Sequence, residues 1–266
     1  MQPIVINASD VSQWVSRVWW PSLRIGGFVA AAPIASETTI PSQVKIVMTL
    51  ALTALIAPLA AVPSALSIFS GAGVLAAVQE ILIGISIGMV MELAFEALTF
   101  AGQTISMTMG LGFATLIDPQ RGASVPVLGQ MFMIMGTLTY LAINGHLVLL
   151  GALANSFQTL PIGAANIDKD FLLAVAIWGG RIFETGLLVA LPVVIALVIV
   201  NLALGVVTRA APQLNLFGIG FTITLMCGFF VLMVGLNGVM TGVSSLIDSA
   251  LSAVVGLVSA PAAGAH

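Results

Sequence analysis

Two carboxylates one helical turn apart, Glu92 and Glu96, are the residues of this sequence best placed to do chemistry. They lie in a long apolar run, where residues four apart share one face of an α-helix. A charged side chain at the centre of a bilayer costs at least about 2.5–3.5 kcal/mol. Such a pair could carry protons or cations, or it could pair with arginines of a neighbouring helix or subunit. Pairing is the favoured interpretation, and sequence alone assigns no partner.

Several other charges also fall inside apolar segments. Arg17 and Arg24 are seven positions apart and share a helix face. Arg181 and Glu184 are three positions apart and could neutralise each other on one helix. The candidates for buried or intersubunit charge pairs are Arg17, Arg24, Glu80, Glu92, Glu96, Arg181 and Glu184.

The chain lacks the motifs of an enzyme or a metal protein. It contains no nucleophile–base motif, phosphate-binding loop or metal-ligand spacing. One cysteine, Cys227, and two histidines are too few for a Cys- or His-based cluster. The formal net charge of −3 is spread without a basic block. We therefore expect no cofactor, no metal, no nucleic-acid partner and no enzymatic activity.

The elements that carry these residues are hydrophobic helices. Charged residues make up 6% of the 266 positions and hydrophobic residues 59%, against roughly 25% charged residues in soluble domains. Asp, Glu, Lys and Arg are absent between Lys45 and Glu80, between Arg121 and Asp168, and between Arg209 and Asp248. Each interval can hold a spanning helix, which needs about 20 residues. The sequence predicts an all-α integral membrane protein.

We expect about six hydrophobic helices in kinked and broken hairpins. They are predicted over residues 12–32, 44–59, 74–101, 127–141, 171–204 and 216–240, with a short apolar piece over 147–160 and an amphipathic tail to about 258. Pro21 and Pro192 should kink their helices. Each connector holds about one basic residue, so the positive-inside rule gives no orientation.

Residues 102–126, GQTISMTMGLGFATLIDPQRGASVP, form the least apolar interior stretch. Its glycines, hydroxyls and prolines predict a structured loop or a broken helix. Irregular backbone at membrane depth persists only where protein buries it or where it lines a cavity. Met107 and Met109 could form a deformable seal at a pore or fill gaps between helices. Both interpretations remain open from composition.

Five ordered segments resemble one known family. They are WWPSLRIGGFVAAAPIASETTIPSQVKI (19–46), MGLGFATLIDPQ (109–120), NGHLVLL (144–150), TLPIG (159–163) and NLALGVVTRAAPQLNLFGIGF (201–221). Together they resemble the FliR family, export-gate subunits of bacterial flagellar type III secretion. Injectisome relatives share the fold, and the stretch RAAPQLNLFGIGF favours the flagellar branch.

The resemblance implies an architecture and a set of partners. Residues 1–170 would be a FliP-like helical part containing a pore loop at 102–126, and residues 171–266 a FliQ-like helical hairpin with a C-terminal tail. One copy of the chain would assemble with five FliP-like and four FliQ-like subunits into a closed-at-rest channel for unfolded flagellar proteins. FlhB, FlhA, the flagellar basal body and membrane lipid are the further expected partners. The location would be the bacterial inner membrane, with the gate displaced toward the periplasm.

The resemblance also implies roles for particular residues. The pore plug or gating loop would contain Met107, Met109, Gly110, Leu111, Gly112, Phe113, Asp118 and Pro119. A family motif at a helix break would contain Arg209, Pro212 and Gln213. The buried charges would fix the order of subunits in a mixed ring.

A proton-coupled secondary transporter using Glu92 and Glu96 is the alternative, with the broken helix at 102–126 as its site. A transporter should work alone or as a homo-oligomer. An export-gate subunit should instead co-purify with two smaller hydrophobic proteins.

Overall fold

The protein is built from α-helices. A computed structural model describes residues 8–63, 66–68, 70–112, 127–163, 169–210 and 220–259, and these contain no β-strand. The helices are α1 (Ala8–Ala31), α2 (Ser42–Ile56), a short 3₁₀ helix (Ala57–Leu59), α3 (Gly71–Thr108), α4 (Val127–Ala142), α5 (Gly145–Thr159), α6 (Lys169–Ala210) and α7 (Phe221–Ser259). The predicted all-α, multi-helix class is confirmed.

Among the described residues, four helical segments are long and apolar enough to cross a membrane, and α4 with α5 forms a further candidate as a broken pair. The helix α3 has 38 residues, α6 has 42 and α7 has 39. At about 1.5 Å per residue, each exceeds the roughly 30 Å hydrocarbon core of a bilayer. Apolar side chains such as Met233 and Val206 remain 69% and 67% exposed. Lipid or other protein must cover these surfaces.

The described chain divides into two compact units. The first contains residues 1–92, 144–178 and 250–266, and the second contains residues 93–143 and 179–249. The long helices α3, α6 and α7 each contribute a part to both units.

In the first unit α1 packs against α2, and α5 contacts the 3₁₀ helix. Its core contains Trp20 and Ile25 of α1, Ile83 of α3, and Leu153 and Phe157 of α5, all essentially buried.

In the second unit the buried side chains come from α3, α4, α6 and α7. Leu98, Ile105, Phe132, Leu197 and Val243 have essentially no exposed surface. Aromatic rings pair edge to face across its helices, for example Phe95 with Tyr140 at a centroid distance of 5.6 Å, a geometry that the ring quadrupole favours.

The structure extends three helices beyond their predicted ends, and α6 runs to Ala210, six residues past its predicted end. The helix α3 runs to Thr108, seven residues into the segment predicted as irregular. Its hydroxyls do not break it, because Thr104 and Thr108 donate to the carbonyl oxygens four residues back, at 2.8 and 2.7 Å. The predicted sixth helix and the tail are one continuous helix, α7. The expected break near Asn144 is confirmed, with Asn144 in the left-handed region at φ 57° between α4 and α5.

Candidate functional site

Arg24 is the most completely bonded charge in the first unit. Its side chain is 0% exposed, and each of the five guanidinium N–H groups meets an acceptor. Nε and Nη2 donate to the two carboxylate oxygens of Glu80 at 2.7 and 3.0 Å. Nη1 donates to the carbonyl and hydroxyl oxygens of Ser156 at 2.7 and 3.0 Å. The guanidinium thus binds α3 and α5 at once, and we call this group the Arg24 cluster.

The Arg24 cluster also caps the C-terminal end of α5. Nη2 of Arg24 donates to the Leu160 carbonyl oxygen at 2.8 Å, and its Cζ lies 4.3 Å from the centre of the Phe157 ring. The last carbonyls of a helix lack intrahelical donors and carry partial negative charge, so a cation there is stabilising. One arginine therefore neutralises Glu80, satisfies a helix terminus and stacks on an aromatic face.

Close contact between the backbones of α1 and α3 places Arg24 opposite Glu80. A Cβ atom at Gly84 would lie against the Arg24 carbonyl and 2.8 Å from the Phe28 nitrogen. One at Gly88 would lie 2.8 Å from both the carbonyl carbon of Ala31 and the nitrogen of Ala32. Real Cβ atoms do not approach this closely. The Gly84–Gly88 spacing is one that allows helix backbones to touch. Glu80 lies one turn before Gly84, so this contact brings its carboxylate to Arg24.

The chemistry available to the Arg24 cluster is structural. Both carboxylate oxygens of Glu80 are bonded to Arg24, and neither side chain reaches solvent. The pair has no open position for a substrate or an ion. Among the described residues no group of His, Cys, Asp and Glu could hold a metal ion. Breaking the pair would leave a charge buried without its partner, which is strongly destabilising.

The other predicted charges lie in different surroundings. Glu92 accepts a hydrogen bond from the Ser36 hydroxyl at 3.2 Å, and Lys45 donates to the Ser36 carbonyl at 2.9 Å. Arg17, Glu96, Arg181, Glu184 and Arg209 are exposed. In the described part of the chain, Arg181 and Glu184 form no ion pair with each other. The structure thus pairs Arg24 with Glu80, and leaves the exposed charges available to groups outside the chain.

The second candidate site is the C-terminal end of α3, in the second unit. Gly110 adopts φ 83°, a left-handed conformation. Gly110 N donates to the Met107 carbonyl and Leu111 N to the Ser106 carbonyl, both at 3.0 Å. These two bonds and the left-handed glycine form a Schellman motif. We call residues 106–111 the α3 cap.

The two methionines before Gly110 have opposite environments. Met107 is 68% exposed, whereas Met109 is 0% exposed. Leu111 and Gly112 form the turn that follows. The remaining residues of the predicted gating loop, Phe113, Asp118 and Pro119, lie outside the described residues, as do Pro212 and Gln213 of the predicted helix-break motif.

Three residues that form these hydrogen bonds were not predicted from the sequence. Ser156 and Leu160 act largely through carbonyl oxygens, which every residue possesses, so no residue type marked them. Asn201 donates to the Thr108 carbonyl at 3.1 Å. The sequence does indicate a role for Asn201, because a side-chain amide inside a long apolar helix requires a hydrogen-bond partner.

The fold and these two sites define a helical integral membrane protein with a buried ion pair and a glycine-capped internal helix end. Comparison with known proteins makes the class specific. The family described as "Bacterial export proteins, family 1" matches residues 15–250.

Individual relatives agree with that match. The flagellar biosynthetic protein FliR of Pectobacterium carotovorum subsp. carotovorum is 42% identical over 229 residues, 86% of this chain and 87% of the relative. The FliR protein of Escherichia coli (strain K12) is 40% identical over 84% of this chain and 85% of its own length. That of Bacillus subtilis (strain 168) is 32% identical over 80% and 83%. The chain belongs to the FliR family of flagellar biosynthetic proteins.

Family membership and apolar helices together define the general role. The protein is an integral protein of the bacterial inner membrane that takes part in flagellar biosynthesis and protein export. The predicted family and its export role are confirmed. The family is one of export components.

Proposed function

We propose that the protein is the single-copy subunit of the flagellar export gate, assembling with five FliP-like and four FliQ-like subunits into a channel that is closed at rest and passes unfolded flagellar proteins. FlhB, FlhA and the basal body are the further partners, and the assembled gate is displaced toward the periplasm. Residues 1–170 act as the FliP-like part and residues 171–266 as the FliQ-like hairpin with its tail.

The α3 cap is the observation that carries this proposal. It ends a long apolar helix at a left-handed glycine and leads the chain into a turn that contains Gly110 and Gly112, with Met107 already exposed. Because lipid cannot satisfy the backbone groups of a turn, residues 109–112 require a protein-lined cavity. A channel shared with other subunits supplies that cavity. The segment beginning at Gly110 serves as the plug.

Exposed charges support the multi-subunit proposal. Glu96 and Arg181 lie in helices that could span a membrane, and both are exposed in the isolated chain. Against lipid, each would cost at least about 2.5–3.5 kcal/mol. Pairing with charges of neighbouring subunits removes that cost and fixes their order. Arg209, the first residue of the helix-break motif, is exposed in the last turn of α6 and serves the same assembly.

Co-expression with candidate FliP-like and FliQ-like proteins tests the assembly. The intact mass of the purified complex should correspond to one copy of this chain with five and four copies of its partners. Glu96→Gln should lower the complex yield on native gels, since it removes a charge that a partner must neutralise. Glu37→Gln, in the connector before α2 and outside the candidate spans, is the matched control and should leave the yield unchanged. A chain that stays monomeric in detergent and moves a small solute unaided would instead establish the transporter.

Deleting residues 110–113 tests the plug. The deletion removes the glycine of the α3 cap and the residues after it, so ion leakage through the resting, assembled gate should rise severalfold. Membrane conductance in cells that carry the gate measures this effect. A deletion of equal length near the C-terminus, residues 262–265, controls for loss of chain. Unchanged conductance in a complex that still assembles would show that this segment is not the seal.

A further inference from the structure

The α3 cap has a partner for every terminal carbonyl, and one of these partners comes from another helix. The Ile105, Ser106 and Met107 carbonyls accept from backbone N–H groups within the cap, at 2.9, 3.0 and 3.0 Å. The Thr108 carbonyl has no such donor among the described residues and accepts instead from Nδ2 of Asn201 on α6, at 3.1 Å. Asn201 therefore supplies the bond that the geometry of the helix end leaves unmade.

A hydroxyl on α7 fixes the orientation of that amide. The Thr224 hydroxyl lies 3.0 Å from Oδ1 of Asn201. Because the Thr108 carbonyl can only accept, Nδ2 must face it, and Oδ1 then faces the Thr224 hydroxyl. The single proton of that hydroxyl is shared between Oδ1 and the Gly220 carbonyl oxygen, 3.1 Å away. Thr224 is almost fully buried and Asn201 is exposed, so the buried hydroxyl holds the exposed amide in place. The chain of bonds runs from α7 through α6 to the end of α3.

A third contact joins α7 directly to the α3 cap. A Cβ atom placed at Gly228 would lie 2.5 Å from Cε, 2.7 Å from Cγ and 2.9 Å from Sδ of Met109. The whole Met109 side chain thus fills the space that the missing side chain of Gly228 leaves. Met109 directly precedes Gly110, so the contact lies where the turn begins. All three contacts lie within the second unit.

We infer that Asn201, Thr224 and Gly228 are the positioning residues that hold the α3 cap in the resting state, and that opening of the channel requires Met109 to leave Gly228. This inference rests on the proposed gate function. Movement of the cap away from α6 and α7 exposes the Thr108 carbonyl and the Asn201 amide and empties the space at Gly228. The C-terminal helices α6 and α7 thereby set how readily the gate opens.

The first experiment tests the hydrogen bonds, and it measures the ion conductance of the assembled gate at rest. Asn201→Asp replaces the donor by a carboxylate oxygen facing a carbonyl, and Thr224→Val removes the hydroxyl with little change of shape. Each should raise the leak by about fivefold, the shift that loss of one ordinary hydrogen bond produces. Thr224→Ser keeps the hydroxyl, and Asn237→Asp places the same charge at an exposed position on α7. Both should leak like the parent.

The second experiment tests the contact between Met109 and Gly228 by replacing it with a disulfide. In a Cys227→Ala background, the pair Met109→Cys and Gly228→Cys should cross-link on mild oxidation. A Gly228 Cβ lies 2.7 Å from Met109 Cγ, so the two Cβ atoms would be at most roughly 4.2 Å apart, within the range that disulfides span. Oxidation should stop export of flagellar protein, and a reductant should restore it. Each single-cysteine variant should be unaffected by oxidation.

The outcomes separate this inference from the gate function itself. In one outcome, deletion of residues 110–113 raises the ion leak while Asn201→Asp and Thr224→Val do not. That result would support the gate function and would show that Asn201 and Thr224 are not its positioning residues. Absence of the cross-link in assembled gates would disprove the Met109–Gly228 contact. Undiminished export by the cross-linked gate would show that opening does not require its release. If the loop deletion itself leaves conductance unchanged, the plug proposal fails first.

Discussion

Replacing Arg24 by alanine is expected to remove most of the folded protein from the membrane. The substitution leaves the Glu80 carboxylate, with a side chain only 1% exposed, without its cation. It also removes donors from Ser156 and Leu160 at the end of α5. Breaking a buried ion pair in this way costs about 3–5 kcal/mol, against a total stability of roughly 5–15 kcal/mol for a typical protein. The level of the chain in membranes and its thermal midpoint in detergent measure the effect.

Three further variants separate the ion pair from the charge alone. Arg17→Ala, seven residues earlier on α1 and exposed, should leave both measurements unchanged. Arg24→Lys keeps the charge but offers three donors without the planar fork, so it should fall between the parent and alanine. Arg24→Met combined with Glu80→Gln removes both charges and should recover part of the loss. A thermal midpoint of Arg24→Ala equal to that of Arg17→Ala would show that the pair contributes little.

The helices were predictable from sequence where charge-free runs are long. The element α4 lies within such a run, and most of α2 and of α7 does, because a chain this apolar must satisfy its backbone groups internally. The end of α3 lies seven residues beyond its predicted position, because serine, threonine and glycine in the sequence predict irregular chain. In the structure, Thr104 and Thr108 bond to their own helix. The crossing of the membrane stays unassigned, because helices longer than the bilayer core do not define a single span.

The Arg24 cluster was predictable in its residue types but not in its pairing. Charges in apolar runs marked Arg24 and Glu80 as residues that need partners. They are 56 positions apart, and nothing in local pattern says that α1 meets α3. The glycine spacing at Gly84 and Gly88 was visible, but only the structure identifies α1 as the helix that packs there. Backbone acceptors such as the Leu160 carbonyl carry no sequence signal at all.

Gly84→Ala is expected to destabilise the protein to a similar extent, by separating α1 from α3. The added methyl group would overlap the Arg24 carbonyl and lie 2.8 Å from the Phe28 nitrogen. These are backbone atoms of a helix, so they cannot turn aside as a flexible side chain would. The helix α1 must move as a whole, which lengthens the bonds between Arg24 and Glu80. Thermal midpoint and membrane level again report the loss.

The direction of the change in thermal midpoint distinguishes a glycine at a close helix contact from a glycine in open space. In an unhindered helix interior, replacing glycine by alanine stabilises by up to about 1 kcal/mol. Gly151, in the middle of α5, has nothing within 4 Å of its added Cβ, so Gly151→Ala should raise the midpoint while Gly84→Ala lowers it. The loss should also be non-additive with Arg24→Ala, because both changes open the same contact. A Gly84→Ala protein as stable as Gly151→Ala would mean that α1 and α3 do not touch, and the Arg24–Glu80 pair would then need another explanation.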